Sequence, residues 1–179
     1  MSSATSFTEK LLDSIRESGE ERTFSKGDFL LKEGQVERNL YFIESGAIRI
    51  FHLYELEEQT IRFGYEGSIT TSLSSFLQGK PSEFYMEAIR KTTVRLISKE
   101  KLMELVTESE ESLIGYSSFL EMVISQQIER EIDLLTISPT DRLRRVLERS
   151  PNLFQQIPLK YIASYLRMKP ETLSRIRNS

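Results

Sequence analysis

The segment 157–177 constrains the fold more than any other part of this chain, because it holds two short helical patterns separated by three residues. Pro158 and Pro170 each suit the first turn of a helix, where the N–H group that proline lacks would have no partner. Ala163 is small enough for two helices to cross closely, as a helix-turn-helix requires. The inward positions of the two patterns are Leu159, Ile162, Ala163 and Leu166, followed by Leu173 and Ile176.

The second predicted helix also has an outward, polar face. Glu171, Ser174 and Arg175 point away from its apolar side, and Thr172 and Arg177 flank them. An arginine can bind two acceptors of guanine and a glutamate can accept from cytosine, so this face is suited to a DNA major groove. Taken alone, Glu171 and Arg175 favour the alternative of an ordinary i, i+4 ion pair on a surface helix.

The order of residues favours DNA. The runs 162–166 and 170–176 resemble the helix-turn-helix of the Crp/Fnr family of bacterial transcription regulators. The resemblance implies that Glu171, Ser174 and Arg175 occupy the base-reading Glu-x-x-Ser-Arg positions. Two residues depart from the family pattern. Arg167 stands where the turn usually has Gly, and Lys169 stands where the cap is usually Ser or Thr, so each costs roughly 1 kcal/mol while adding positive charge.

Composition excludes several kinds of site. The chain has no cysteine and only one histidine, His52, so disulfides, iron-sulfur clusters and multi-histidine metal sites are excluded, and we expect no cofactor and no catalytic residues. The charge is divided along the chain. From residue 140 onward there are 9 basic and 3 acidic residues out of totals of 24 and 27, which leaves 15 and 24 before it. The basic end is therefore the nucleic-acid end.

Residues 24–98 change to short apolar runs broken by glycines, which predicts a small β-barrel or roll. The order Lys26-Gly27-Asp28, then Gly34, then 41–46 resembles the start of a cyclic-nucleotide-binding β-roll, the sensory domain of the same family. The expected strands are 29–32, 40–44, 47–52, 60–63, 84–89 and 94–98, preceded by a short helix at 7–15.

The resemblance weakens where a ligand would lie. Cyclic-nucleotide binders hold the ribose with Gly-Glu and the phosphate with Arg-Ser/Thr-Ala, and this chain has Thr70-Thr71 and Ser82-Glu83-Phe84 at those positions. A phosphate without its arginine loses a bidentate charged pair, so we expect no binding of cyclic AMP or cyclic GMP. The hydroxyls are candidates for another small polar ligand, although a solvated loop is the favoured alternative. The candidate pocket residues are Thr70, Thr71, Ser72 and Ser82.

A long helix is predicted from about 108 to 135, since apolar residues recur there every three or four positions without a proline. Its apolar face is wider than one β-roll would cover, which predicts a partner helix, and in the family that helix is the dimer seam. The alternative is a helix buried within its own subunit. The candidate seam residues are Tyr116, Leu120, Val123, Ile124 and Ile128.

Ser138, Pro139 and Asp141 then give a strong helix-start signal, which makes 135–137 a hinge. The sequence ends at Ser179, so we expect the β-wing of many family members to be absent. No apolar run approaches the roughly 20 residues of a membrane span, and the first residues lack the apolar core of a signal peptide, so we expect a cytoplasmic protein without membrane contact.

The predicted fold class is α+β, with a jelly-roll-like, cupin-like β-roll sensor at 1–107, a dimerisation helix and hinge at 108–137, and an all-α helix-turn-helix domain at 138–179. The predicted function is a homodimeric regulator that binds an inverted repeat in double-stranded DNA and is not an enzyme. Its further candidate partners are RNA polymerase and an unknown small-molecule effector. The alternative is a ligand-binding or protein-interaction module whose helix-turn-helix no longer binds DNA.

Overall fold

The computed structural model describes residues 3–178, with side chains from Phe7 onward. All the strands precede the longest helix along the chain. In chain order the helices and strands are α1 (Ser3–Ser18), β1 (Glu20–Phe24), β2 (Phe29–Leu31), β3 (Asn39–Ser45), β4 (Ala47–Tyr54), β5 (Glu57–Tyr65), β6 (Ile69–Thr70), α2 (Leu73–Gln78), β7 (Tyr85–Ala88), β8 (Thr92–Ser98), α3 (Lys99–Thr107), α4 (Glu110–Leu135), α5 (Pro139–Arg149), α6 (Leu153–Gln156), α7 (Leu159–Tyr165) and α8 (Pro170–Arg177).

The strands form two four-stranded antiparallel sheets, ordered β1-β8-β3-β6 and β2-β7-β4-β5. Alternate residues of the facing strands interdigitate, because successive side chains of a strand point to opposite faces. The resulting core includes Ile43, Ile48, Met86 and Val94, all fully buried. This arrangement confirms the predicted β-roll.

All six predicted strands are present, with ends shifted by at most three residues. The glycine at 46 joins β3 to β4 with a φ of +94°, and a Cβ there would lie 2.5 Å from the Lys91 carbonyl oxygen. Only glycine fits such a turn. The sequence analysis missed β1, β6, α2, α3 and α6.

Three helices cover one side of the roll. α1 and α3 pack against α4, and their shared core contains Phe7, Leu11, Leu102 and Val106. α4 spans 26 residues, close to the predicted long helix, and its first turn is capped by the Ser109 hydroxyl. Within residues 3–178 no helix is both long and apolar enough to cross a bilayer.

Helices α5–α8 surround a third core, in which Ile162, Leu166 and Leu173 are fully buried. Ala47 and Ile89 of the roll belong to the same core. The helical C-terminal part therefore packs directly against the β-roll. At its start, the Ser138 hydroxyl accepts from the Asp141 N–H and Pro139 occupies the first turn, as the sequence predicted.

Candidate nucleic-acid interface

The turn between α7 and α8 contains both residues that depart from the family pattern, Arg167 and Lys169. Arg167 has a φ of +54°, the left-handed region that glycine would occupy without strain. The N–H of Met168 donates to the Ala163 carbonyl over 3.0 Å and closes the turn. Lys169 is the cap residue of α8, and no side-chain cap hydrogen bond forms there. The turn therefore carries positive charge at some cost in stability.

Helix α8 has the two faces expected from its sequence. Leu173 is fully buried and Ile176 is partly buried against the C-terminal core. Glu171, Arg175 and Arg177 are exposed, as is Lys169 just before the helix, whereas Thr172 and Ser174 are half-buried. The Arg177 guanidinium lies 5.6 Å from the Phe154 ring centroid, so its stem packs back on the module.

The surface ion-pair alternative for Glu171 and Arg175 predicts a contact between the two side chains. Among the described residues neither one forms an ion pair, although exposed pairs do form elsewhere: Arg144 on α5 contacts both Asp141 and Glu148. The side chains of Glu171 and Arg175 are thus both available to an outside partner.

Two basic residues of α5, Arg145 and Arg149, are used internally. Asp133 of α4 is fully buried and accepts from Arg145 over 3.0 Å and from Arg149. Glu129, one turn earlier, binds the same two arginines at 2.7 and 3.4 Å. Positive charge on α5 therefore serves to fix that helix on α4.

Helix α7 is docked on the β4–β5 hairpin through polar contacts that the sequence analysis did not identify. The Ser164 hydroxyl accepts from the Thr60 N–H over 3.0 Å and donates to the Glu58 carbonyl over 3.1 Å. Arg49, only 4% exposed, binds Glu58 and Glu87 and lies between the rings of Phe51 and Tyr161. A charged residue at 49, in the middle of the apolar run 47–53, is the signal that could have revealed this contact.

The candidate pocket hydroxyls are buried, so the solvated loop favoured by the sequence is wrong for Thr70, Thr71, Ser72 and Ser82. Several of them bind one another or the backbone. Ser72 and Ser82 share a hydrogen bond of 2.8 Å, Ser82 also accepts from the Phe84 N–H, and Thr71 donates to the Asn39 carbonyl. Buried polar groups need such partners, and Thr71, Ser72 and Ser82 find them within the fold.

Two adjoining cavities of about 650 and 450 Å³ lie between the roll and α4. Both are bordered by Thr70, by Arg62 of β5 and by Arg130 of α4. The smaller one also reaches Thr71, Ser72 and Arg167 of the α7–α8 turn. The sequence analysis found the hydroxyls but missed the arginines. Burial lowers the pKa of both Arg62 and Arg130.

The predicted seam residues divide between two sides of α4. Ile124 and Ile128 are 58% and 50% exposed, and Leu120 is half-buried beside them. Tyr116 instead packs on Phe7 of its own subunit, with ring centroids 5.6 Å apart, and Val123 borders both cavities. Tyr116 and Val123 therefore face their own subunit, and they widen the apolar face of α4 beyond the exposed stripe. The exposed stripe also includes Leu113, Ile114, Ile132 and Leu135.

Comparison with known proteins agrees with this architecture. Residues 21–109 match the family model of the cyclic nucleotide-binding domain. No curated protein matches the chain by sequence. Among solved structures, FixK2 from Bradyrhizobium japonicum aligns with a TM-score of 0.75 at 20% identity, over 89% of this chain and 83% of that one. A CooA mutant from Carboxydothermus hydrogenoformans gives 0.70 at 18% identity, over 93% and 77%.

The c-di-GMP responsive global regulator CLP of Xanthomonas campestris aligns with a TM-score of 0.66 at 15% identity, over 97% of this chain and 90% of that one. The segment 21–109 thus belongs to the cyclic nucleotide-binding domain family, and the chain as a whole has the fold of the Crp/Fnr-type transcription regulators.

Proposed function

We propose that this chain is a homodimeric transcription regulator that reads an inverted repeat in double-stranded DNA with helix α8. The observation that carries the proposal is the outward face of α8, where Glu171 and Arg175 are exposed four residues apart on a helix whose other face is buried. Neither side chain is paired within the described part of the chain. Side chains of this kind form base contacts when a helix enters the major groove.

Each residue of the interface has a separate role in this proposal. Arg175 binds the two acceptors of a guanine, Glu171 accepts from the amino group of a cytosine, and Ser174 adjusts a neighbouring base contact. Thr172 lies at the edge of the same face. Lys169 and Arg177 contact phosphates and carry no base information.

The proposed dimer places a second copy of the chain on α4. Leu120, Ile124 and Ile128 follow one another at four-residue spacing on the outward side of that helix. A contiguous apolar stripe of this length is typical of a helix-helix interface. We divide the chain into a sensor at 1–107, a seam and hinge at 108–137, and a DNA-binding module at 138–179. Such a regulator acts in the cytoplasm, with RNA polymerase as a candidate partner.

Selection from random DNA duplexes tests the proposal. Two α8 helices related by a two-fold axis lie about 34 Å apart, so the recovered sequences should be inverted repeats with half-site centres about 10 or 11 base pairs apart. Recovery of unrelated or non-palindromic sequences would contradict this assignment. A complete lack of retention in gel shifts at low salt would favour an interaction module that does not bind DNA.

A further inference from the structure

Arg130 is a buried charge that forms no ion pair with a carboxylate among the residues that the structure describes. It is 8% exposed, its Nη1 has no hydrogen-bond partner, and its Nη2 donates to the Tyr165 carbonyl over 2.5 Å. The guanidinium also lies 3.6 Å from the Tyr165 ring centroid. An unsatisfied buried guanidinium is costly, so its position on a cavity wall calls for an explanation.

The smaller cavity, of about 450 Å³, has a one-sided set of charges. Three arginines border it, Arg62, Arg130 and Arg167, and no aspartate or glutamate is among its described lining residues. The partners of these arginines are neutral. Arg62 donates to the Gln127 side chain at 2.8 Å and Arg167 to the Gln59 side chain at 2.5 Å. None of the three forms an ion pair among the described residues, although the nearby Asp133 carboxylate partly offsets the effect of burial on the pKa of Arg130.

A second unsatisfied polar atom borders the same space. The hydroxyl of Thr70 is buried and has no hydrogen-bond partner within the described part of the chain, and Thr70 lines both cavities. The rest of the wall of the smaller cavity is mainly apolar, including Leu40, Ile61, Phe84 and Phe119. Polar groups concentrated at one side of an apolar cavity of several hundred cubic ångströms are typical of a small-ligand site.

We propose that this cavity binds an amphipathic organic anion. Its carboxylate or phosphate lies between Arg130 and Arg62, and its apolar body lies against the β-roll. Guanidinium groups bind both kinds of anion through charge-assisted hydrogen bonds. The anion-binding groups come from β5 and α4, whereas the cyclic-nucleotide phosphate position at Ser82 is occupied by internal hydrogen bonds.

The site also touches the DNA-binding module. Arg130 binds the last residue of α7, and Arg167 is part of the α7–α8 turn. An anion that draws Arg130 away from the Tyr165 carbonyl removes one of the contacts between α4 and α7. This effect on α8 rests on the proposed function, whereas ligand binding itself does not.

Calorimetry on the full chain without DNA tests the site. The probes are three pairs that differ in charge: octanoate and octanamide, benzoate and benzamide, and phenyl phosphate and phenol. The wild type should bind the charged member of at least one pair about tenfold or more tightly than its neutral counterpart. The preferred pair also distinguishes a carboxylate from a phosphate ligand.

Arg130→Gln and, separately, Arg62→Gln should remove that preference. Arg144→Gln, an exposed arginine of α5 away from the cavity, should retain it. Circular dichroism establishes whether each variant is folded. If one of the two cavity variants is unfolded, the other alone tests the site. Equal affinity for both members of every pair would overturn the proposal. Retention of the preference in the cavity variants, or its loss in Arg144→Gln, would do the same. None of these readouts involves DNA, so they stay separate from a failure of DNA binding.

Discussion

The hydroxyl of Ser164 on α7 bridges two backbone groups of the β-roll, since it accepts from the Thr60 N–H over 3.0 Å and donates to the Glu58 carbonyl over 3.1 Å. Thr60 is fully buried at this contact. One side chain of the C-terminal helices thus completes the hydrogen bonding of a strand that belongs to the roll.

We predict that Ser164→Ala weakens this contact by about 1 kcal/mol, the usual net value of one hydrogen bond. The Thr60 amide should then exchange with solvent about fivefold faster, because a local opening becomes easier. Hydrogen exchange measured by NMR checks this. Ser117→Ala is the control, since its hydroxyl donates only to Leu113 within α4. An unchanged Thr60 rate would show that Ser164 does not hold the module.

Arg175→Ala should cost about 1–3 kcal/mol on the selected operator and remove the preference at one G·C pair, because a bidentate base contact is lost. Competition gel shifts with operator variants measure both effects. Lys169→Ala is the matched change for a phosphate contact. It should weaken binding to all sequences alike and reduce the salt slope by about one. If Arg175→Ala retains the wild-type sequence preference, the base-reading role is refuted.

Ile124→Glu combined with Ile128→Glu should convert the protein to monomers, because two subunits would then place four carboxylates against one another across the seam. Both residues are about half exposed in one subunit, so the monomer should stay folded. Sedimentation equilibrium should give twice the 20.8 kDa chain mass for the wild type and one chain mass for the variant. Leu56→Glu, at a position 92% exposed, is the control and should remain dimeric. A monomeric wild type at micromolar concentration would rule out the seam.

Millimolar cyclic AMP or cyclic GMP should give no saturable heat in calorimetry. The groups at the phosphate and ribose positions are already engaged, since Ser82 binds Ser72 and the Phe84 N–H, and Thr71 binds the Asn39 carbonyl. No arginine stands at the phosphate position to compensate the charge of the ligand. Saturable binding with micromolar affinity would mean that the ligand lies elsewhere in the roll.

Glu37 should make stability depend on pH. It is 2% exposed, and burial raises the pKa of its carboxyl, although hydrogen bonds from the N–H groups of Arg38 and Asn39 oppose the shift. Since the folded-state pKa lies above the unfolded one, ionisation penalises the folded state. The penalty is complete above the folded-state pKa and disappears as pH falls to the ordinary range of glutamate.

Glu37→Gln removes that penalty while keeping an oxygen acceptor for the two N–H groups. Urea denaturation should show the variant gaining stability relative to the wild type as pH rises toward 7, with the difference smallest near pH 4.5. A stability difference that grows on acidification would mean that folding lowers the pKa of Glu37 instead of raising it.

The sequence predicted the parts of this fold that local patterns specify. Periodic apolar residues located α4, and Pro170 together with the turn at Arg167 located α8, because these signals depend only on neighbours along the chain. Helix α3 carried a readable signal that was missed: Ser98 accepts from the Lys101 N–H as a cap, and Leu102 and Val106 follow at helical spacing. Strand β1 carried none. It is an edge strand whose first four residues are exposed, so it lacks alternation.

The candidate ligand site was only half predictable. The hydroxyls at 70–72 stood out as a cluster in the sequence, but their burial depends on α2 and on a loop ten residues away. Arg130 and Glu131 are adjacent charged residues on one helix, and only the packing of α4 against the roll turns one inward and the other outward. Tertiary contacts decide such positions, and no local pattern encodes them.

The buried Asp133 changes how the joint between α4 and α5 works mechanically. The segment 135–137 was predicted to be a hinge, yet Arg142 donates to the Thr136 carbonyl, and Asp133 holds Arg145 and Arg149 on the next helix. Changing the angle would strip a fully buried carboxylate of its partners, which costs several kcal/mol. The segment 135–137 can therefore bend as a hinge only where these buried ion pairs break, and otherwise a rotation of α4 carries α5 with it as one rigid arm.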